Sequence, residues 1–213
     1  PSSTRRRSGP RGGGGAGWHR AARDTSASPE GVPAAAPDPE FPPVPADTKD
    51  WTWAMERPCP ECGFVAAEVT PDRVGAAVRD AVPRYVAALG RADARTRPDP
   101  TTWSVLEYAA HVRDVFTVFD VRVQSMVEGD DPRFANWDQD ATAVAEDYAH
   151  QDPAVVAREL RIAGDRVAGR FDALVPDQWE RPGRRSNGSV FTVRTLGQYF
   201  VHDVVHHLHD VGA

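Results

Sequence analysis

From residue 70 onward, apolar residues recur every three or four positions in four segments, each opened and closed by residues that start and stop helices. Thr70-Pro71-Asp72 supplies a cap, a proline at the first helical position and an early acid; Val74, Ala77, Val78, Val82, Val86 and Leu89 follow until Gly90. Pro83 lies inside this helix and should bend it. A second helix starts near Thr102 or Ser104 and runs to Gly129, burying Val115, Phe116, Phe119 and Val123. Asp152-Pro153 opens a third, with Val155, Val156, Leu160, Val167, Phe171 and Leu174 before Pro176 stops it. Thr192 or Thr195 opens the last, whose stripe is Leu196, Phe200, Val204, Leu208 and Val211. Between the second and third helices, residues 130–151 read as a loop pinned by Phe134, Trp137 and Tyr148, and residues 179–190 as a turn or short hairpin. No strand of convincing length and no repeat is apparent. The pattern predicts an all-α, four-helix bundle over residues 70–213, a fold that builds metal sites from side chains on facing helices.

The start of the chain differs in kind. Residues 1–48 hold nine of the nineteen prolines and seven of the seventeen glycines, and their sizeable apolar residues are Trp18, Val32, Phe41 and Val44. Such a segment cannot bury enough surface to offset its ordering entropy, so residues 1–54 are expected to be a disordered extension, followed by a Cys-x-x-Cys segment at 55–69. Arg5-Arg6-Arg7 is followed by no apolar stretch of signal-peptide length. The chain starts at Pro1 and its first methionine is Met55, which raises the hypothesis that the first fifty or so residues are a non-native extension. Residues 1–48 carry six Arg and five acids, leaving a net charge of −7 on the remainder of a chain whose total is −6. An acidic globular part disfavours sequence-independent nucleic-acid binding. With no apolar run long enough to span a bilayer, the expected setting is the cytoplasm, away from membranes.

Four of the seven histidines fall in the last twelve residues, at 202, 206, 207 and 209. On a helix, His202 and His206 lie about 40° apart on one face and about 6 Å apart along the axis, so two imidazoles can share one ion. This row lies roughly opposite the Phe200, Val204 and Leu208 stripe, so it must line a cleft or an open end. His111 projects from the face that carries Tyr108, Val115 and Val118; it is either a core residue bonded through both nitrogens or a ligand.

Cys59-Pro60-Glu61-Cys62-Gly63 has the form of a metal knuckle, with the glycine allowing a tight turn. A structural zinc needs four ligands, and the chain has no other cysteine. The pair therefore reads first as an incomplete knuckle. It could also be a half-site for a second metal, completed by a histidine or by a second subunit in a homodimer, or a redox dithiol, which would want a helix N-terminus after the first cysteine.

Two segments resemble the DinB superfamily, which includes the YfiT-like proteins and small-thiol S-transferases. One is Trp103-Ser104-(x)2-Glu107-(x)3-His111-(x)2-Asp114, the other His202-(x)3-His206-(x)2-His209, and the likeness covers about residues 70–213. The resemblance implies that His111, His202 and His206 bind one divalent ion, Zn2+ or another such as Ni2+. His209 would be an outer-shell or substitute ligand, and His207 a surface or packing residue. Asp114 and Asp203 either orient ligand imidazoles or are solvated helix charges. The resemblance assigns no catalytic residue.

Three histidines leave a fourth position on zinc open for water or a thiol. The implied function is a metal-dependent S-transferase of low-molecular-weight thiols, or a related isomerase or hydrolase, acting on a small thiol and an electrophilic small molecule. The preference for Arg, Ala, Val, Gly and Pro over Lys, Ile and Asn suggests a GC-rich, actinobacterial genome, for which the corresponding thiol is mycothiol. The alternative is a non-catalytic metal-binding bundle serving as a sensor or dimerisation module. A pocket lined by Arg113, Arg122 or Trp137 would favour the enzyme, a sealed site the alternative.

Overall fold

Local chemistry sets the helix starts. At Ser104 the hydroxyl accepts from the Glu107 amide at 3.3 Å, while the Glu107 carboxylate accepts from the Ser104 amide at 2.9 Å. Arg97 holds that carboxylate from outside through Nε at 2.9 and 3.1 Å. The Ser-x-x-Glu part of the first motif is thus the device that starts a helix. The Asp152 side chain caps the Ala154 and Val155 amides, and Thr192 exchanges bonds with Thr195.

The computed structural model describes residues 41–213 apart from 43 and 47. Expectations for residues 1–40 lie outside this set. The described helices are α1 (Pro71–Leu89), α2 (Val105–Glu128), the short α3 (Gln139–Ala145), α4 (Pro153–Asp172) and α5 (Val193–Asp210). α1 continues through Pro83 as one helix. None of them is long and apolar enough to cross a membrane.

α4 packs against both α1 and α2, and α5 does likewise, which puts α1 diagonally across from α2. Phe200 of α5 sits at the centre, with ring centroids 4.9 Å from Phe119, 5.6 Å from Phe171 and 5.9 Å from Phe116. Burying each such side chain contributes roughly 1.5–3 kcal/mol. The buried Tyr85 hydroxyl donates to the Val204 carbonyl at 2.7 Å, tying α1 to α5, and Arg170 pairs with Asp120 between α4 and α2.

Residues 179–190, read as a turn or short hairpin, do form one, and two further points go beyond or correct the sequence reading. A three-stranded patch is present, formed by β1 (Arg133–Phe134), β2 (Pro182–Arg185) and β3 (Val190–Thr192). β2 and β3 are antiparallel, with Gly183 opposite Phe191, and β1 joins β2 in parallel, with Arg133 opposite Arg184. Strands this short carry no readable alternation, and β1 exists only because residues far away in the chain supply its partner. The second concerns where order begins. Trp51–Met55 already forms a 3₁₀ turn, capped by the Asp50 carboxylate accepting from the Thr52 amide at 3.0 Å, and Ala54 is fully buried. Trp51 and Trp53 pack on the His202 and His206 rings of α5, beyond the reach of local pattern.

Gly164 lets α4 approach its neighbours: a Cβ there would meet Val82 Cγ2 at 2.7 Å and a Phe116 ring carbon at 3.2 Å. Gly164→Val should therefore destabilise the protein by about 1–3 kcal/mol in urea unfolding, and an unchanged midpoint would contradict this packing.

Candidate metal centre

α5 carries two ligand rows at the same spacing, His202 with His206 and, one residue on, Asp203 with His207. Adjacent helical residues point about 100° apart, so the rows face different neighbours. The Asp203 row faces α2, and the His202 row faces the segment before α1.

Facing α2, His111, Asp203 and His207 bring their ligand atoms within 4.8 Å of one another. Asp203 Oδ1 lies 3.5 Å from His111 Nε2 and 3.2 Å from His207 Nε2. Ligands on a tetrahedral zinc with bonds of ~2.0–2.1 Å stand about 3.3 Å apart, so these spacings fit one ion. Both nitrogens of the fully buried His111 lack a hydrogen-bond partner, as expected of a side chain shaped for a ligand. Its ring stacks on Trp137 at 5.4 Å and 6°. Behind the cluster, His207 Nδ1 meets Asp210 Oδ2 at 2.7 Å, an outer carboxylate that fixes the imidazole and raises its basicity.

Electrostatics matches this division. Burial pushes the His111 imidazole down despite the Asp203 charge. Burial also pulls on His207, but Asp203 and Asp210 outweigh it and push its pKa up to about 9. Burial would raise Asp203, yet its contacts with His111 and His207 hold it well below the usual carboxylate range.

The second row meets the knuckle. Cys59, Cys62, His202 and His206 also bring their ligand atoms within 4.8 Å of one another. Cys59 Sγ lies 3.7 Å from His206 Nδ1, and His206 Nε2 lies 3.4 Å from Glu61 Oε2 and 3.9 Å from Asp210 Oδ1. His202 Nε2 is buried without a hydrogen-bond partner. Burial and the neighbouring His206 lower His202 to about 4, and burial lowers His206 as well, so both rings are neutral at neutral pH. Burial raises the Cys62 thiol to about 11. A redox dithiol wants the opposite shift and a following helix, whereas Pro60 to Cys62 form a turn.

Between the rows lies a cavity of about 230 Å³, lined by Lys49, Trp51 and Glu61 from the N-terminal segment, by Tyr108 and Gln139, and by Tyr199, His202, Asp203, His206, His207 and Asp210 of α5. The histidine face does line an opening, as its place on the helix required.

The structure groups the expected ligands differently from the sequence reading. His202 and His206 come together with Cys59 and Cys62, while His111 comes together with Asp203 and His207. His207, read as a surface or packing residue, has a side chain only 16% exposed and joins a ligand group. The signal was present in Asp203-x3-His207, which repeats the spacing of His202-x3-His206. Asp114 accepts from the Tyr148 hydroxyl and pairs with Arg113. His209 is exposed and belongs to neither described group. Arg113 also binds Glu159 and Gln151, and Arg122 lies over the Phe119 and Phe134 rings, so the cavity draws its walls from other residues.

Fold and site together define a helical-bundle protein with residues suited to divalent metal. Residues 76–211 match the DinB superfamily, and the chain belongs to that superfamily. Its fold is similar to that of a solved structure of YfiT from Bacillus subtilis, described as "a probable metal-dependent hydrolase with an unusual four-helix bundle topology". The TM-score is 0.59 at 18% identity, covering 65% of this chain and 82% of that one. No curated protein sequence matches the chain.

The His207 shift gives a linkage prediction. In the metal-free protein this ring is protonated at neutral pH, whereas a ligand imidazole must be neutral. Zn2+ uptake at the His111 cluster should release about one proton, and affinity should climb with pH until about 9. Calorimetry in buffers of different ionisation enthalpy measures that proton directly; uptake without proton release would contradict the assignment.

Proposed function

We propose that this protein is a divalent-metal-dependent enzyme that transfers small thiols, with His111, Asp203 and His207 holding the ion. The carrying observation is a cluster of three protein ligands, two of which line the cavity. Catalytic zinc sites take three protein ligands and keep one position for water or substrate. Superfamily membership and the description of YfiT support metal dependence. Bound there, zinc lowers the pKa of a thiol or water and polarises an electrophile.

The chain's own residues shape the rest. Asp210 holds His207 in one orientation, and the Trp137 ring packed on His111 shields that side from water. Trp51, Tyr108 and Tyr199 give the cavity aromatic walls. The reading takes a small thiol and an electrophilic small molecule as substrates, and the sequence bias makes mycothiol the first thiol to test. In the transfer, the thiol loses its proton to solvent water, its sulfur bonds to the electrophilic carbon, and the bond from that carbon to the displaced group breaks, the group leaving with the bonding pair. Thiols of this kind stay reduced in the cytoplasm, where we place the protein. The opening beside two of the ligands favours turnover over a sealed site, with walls from Trp51, Tyr108 and Tyr199 in place of the Arg113, Arg122 or Trp137 expected from the sequence.

The test is metal-loaded full-length protein incubated with a panel of small thiols, mycothiol first, and an electrophile, with conjugates quantified by mass spectrometry. Asp203→Asn and His207→Gln should each lower conjugation by more than ~100-fold, because each removes a ligand. Conjugation at the uncatalysed rate across the panel would overturn the transferase reading. Metal-dependent ester cleavage in the same protein would replace it with hydrolysis.

A further inference from the structure

The Cys59 knuckle and the second α5 row are left over from this function. We propose that Cys59, Cys62, His202 and His206 form a closed structural zinc site that fastens the N-terminal segment to α5 and so builds one wall of the cavity.

The donor set is that of a two-cysteine, two-histidine zinc site, one of the standard closed tetrahedral kinds. In such a site sulfur and nitrogen ligands stand about 3.5 Å apart, given zinc bonds of ~2.3 and ~2.0 Å. The Cys59 Sγ to His206 Nδ1 distance is 3.7 Å. The knuckle is already bent to the task. The Gly63 amide donates to the Cys59 carbonyl at 2.9 Å, the Cys59 amide donates to the Phe64 carbonyl at 2.8 Å, and Gly63 adopts a φ of +74°, which glycine tolerates at little cost. Cys59, His202 and His206 are 1%, 3% and 6% exposed and Cys62 is half-buried, so the four donors are drawn largely out of solvent, with the two imidazoles forming part of the cavity wall.

Burial makes the zinc reading stronger. His202 Nε2 has no hydrogen-bond partner, and an unsatisfied buried polar atom costs about 1–3 kcal/mol unless a ligand takes it up. Once Nδ1 of His206 binds, its other nitrogen faces Glu61 and Asp210, the outer carboxylates expected of a ligand histidine. Thiolates and imidazoles together select zinc over magnesium or calcium. One chain supplies four ligands, so a partner subunit is not needed to complete the knuckle.

The consequence is structural. Trp51 packs against His206 at 4.9 Å and His202 at 5.7 Å, and Phe64 against His202 at 5.2 Å. Lys49, Trp51 and Glu61 are the cavity residues that this segment contributes. Zinc at the knuckle would hold them in place without touching substrate.

The test uses full-length protein loaded with Zn2+ or Co2+. Wild type should hold about two equivalents of zinc, and Cys59→Ser/Cys62→Ser about one. Cobalt-loaded wild type should show the near-ultraviolet thiolate-to-cobalt charge-transfer band, and Asp203→Asn/His207→Gln should keep it. Because the cobalt spectrum of wild type reads the thiolates directly, a cysteine variant that failed to fold would leave the test intact. Amide exchange at Cys59 and Gly63 should quicken by at least ~10-fold on selective loss of this zinc. No charge-transfer band in wild type, or equal zinc in wild type and a folded cysteine variant, would overturn the proposal. Retained metal that depends on Asp203 and His207 would then leave the proposed enzyme standing; the converse pattern would sink the enzyme site and keep the structural one.

Discussion

Everything distinctive in this protein depends on α5 burying a polar face as well as an apolar one. Phe200, Val204 and Leu208 lock into the bundle core, and that contact fixes the rotation of the helix. Once the rotation is fixed, two i, i+4 pairs of ligand residues point in directions about 100° apart. Each direction needs its own cover. α2 supplies it on one side with His111, and the segment Trp51 to Phe64 supplies it on the other.

Burying seven or so ionisable groups around the last two turns or so of one helix would be costly if each were charged and unpaired. The arrangement keeps the cost down by sorting charge. His111, His202 and His206 are held neutral by burial. The remaining charges form a compact set in which Asp203 and Asp210 flank His207. Asp210 also reaches towards His206, so one carboxylate stands between the two ligand groups and couples their electrostatics. Neutral imidazoles and ionised acids are the protonation states that a divalent cation requires, so among these histidines His207 is the one that must give up a proton on binding.

Much of the fold was legible because helices announce themselves locally. Cap residues, prolines at first turns and the three-and-four spacing located α1, α2, α4 and α5 within a few residues, as these signals arise from contacts within a turn or two. The hairpin of β2 and β3 was readable from its turn residues, but β1 was not, because two residues carry no period and its partners lie some fifty positions away. The Trp51–Met55 turn escaped for a related reason: its Pro-rich preface resembles a tail, and its packing partners are on the last helix.

The sequence by itself determined which residue types were available, two cysteines, a cluster of histidines and flanking acids, and that most of them ride on one helix at metal-binding spacing. It could not say which row faces which neighbour. The sequence reading paired His202 and His206 with His111 and left His207 aside, yet a one-residue step changes direction by about 100° while leaving the spacing pattern almost unaltered, so Asp203 and His207 offered the same spacing. Only the packing of Phe200 against Phe119, Phe171 and Phe116 set the rotation that turned Asp203 and His207 towards His111. The same rotation carried His202 and His206 to a pair of cysteines more than a hundred residues earlier in the chain, a meeting that no local pattern encodes.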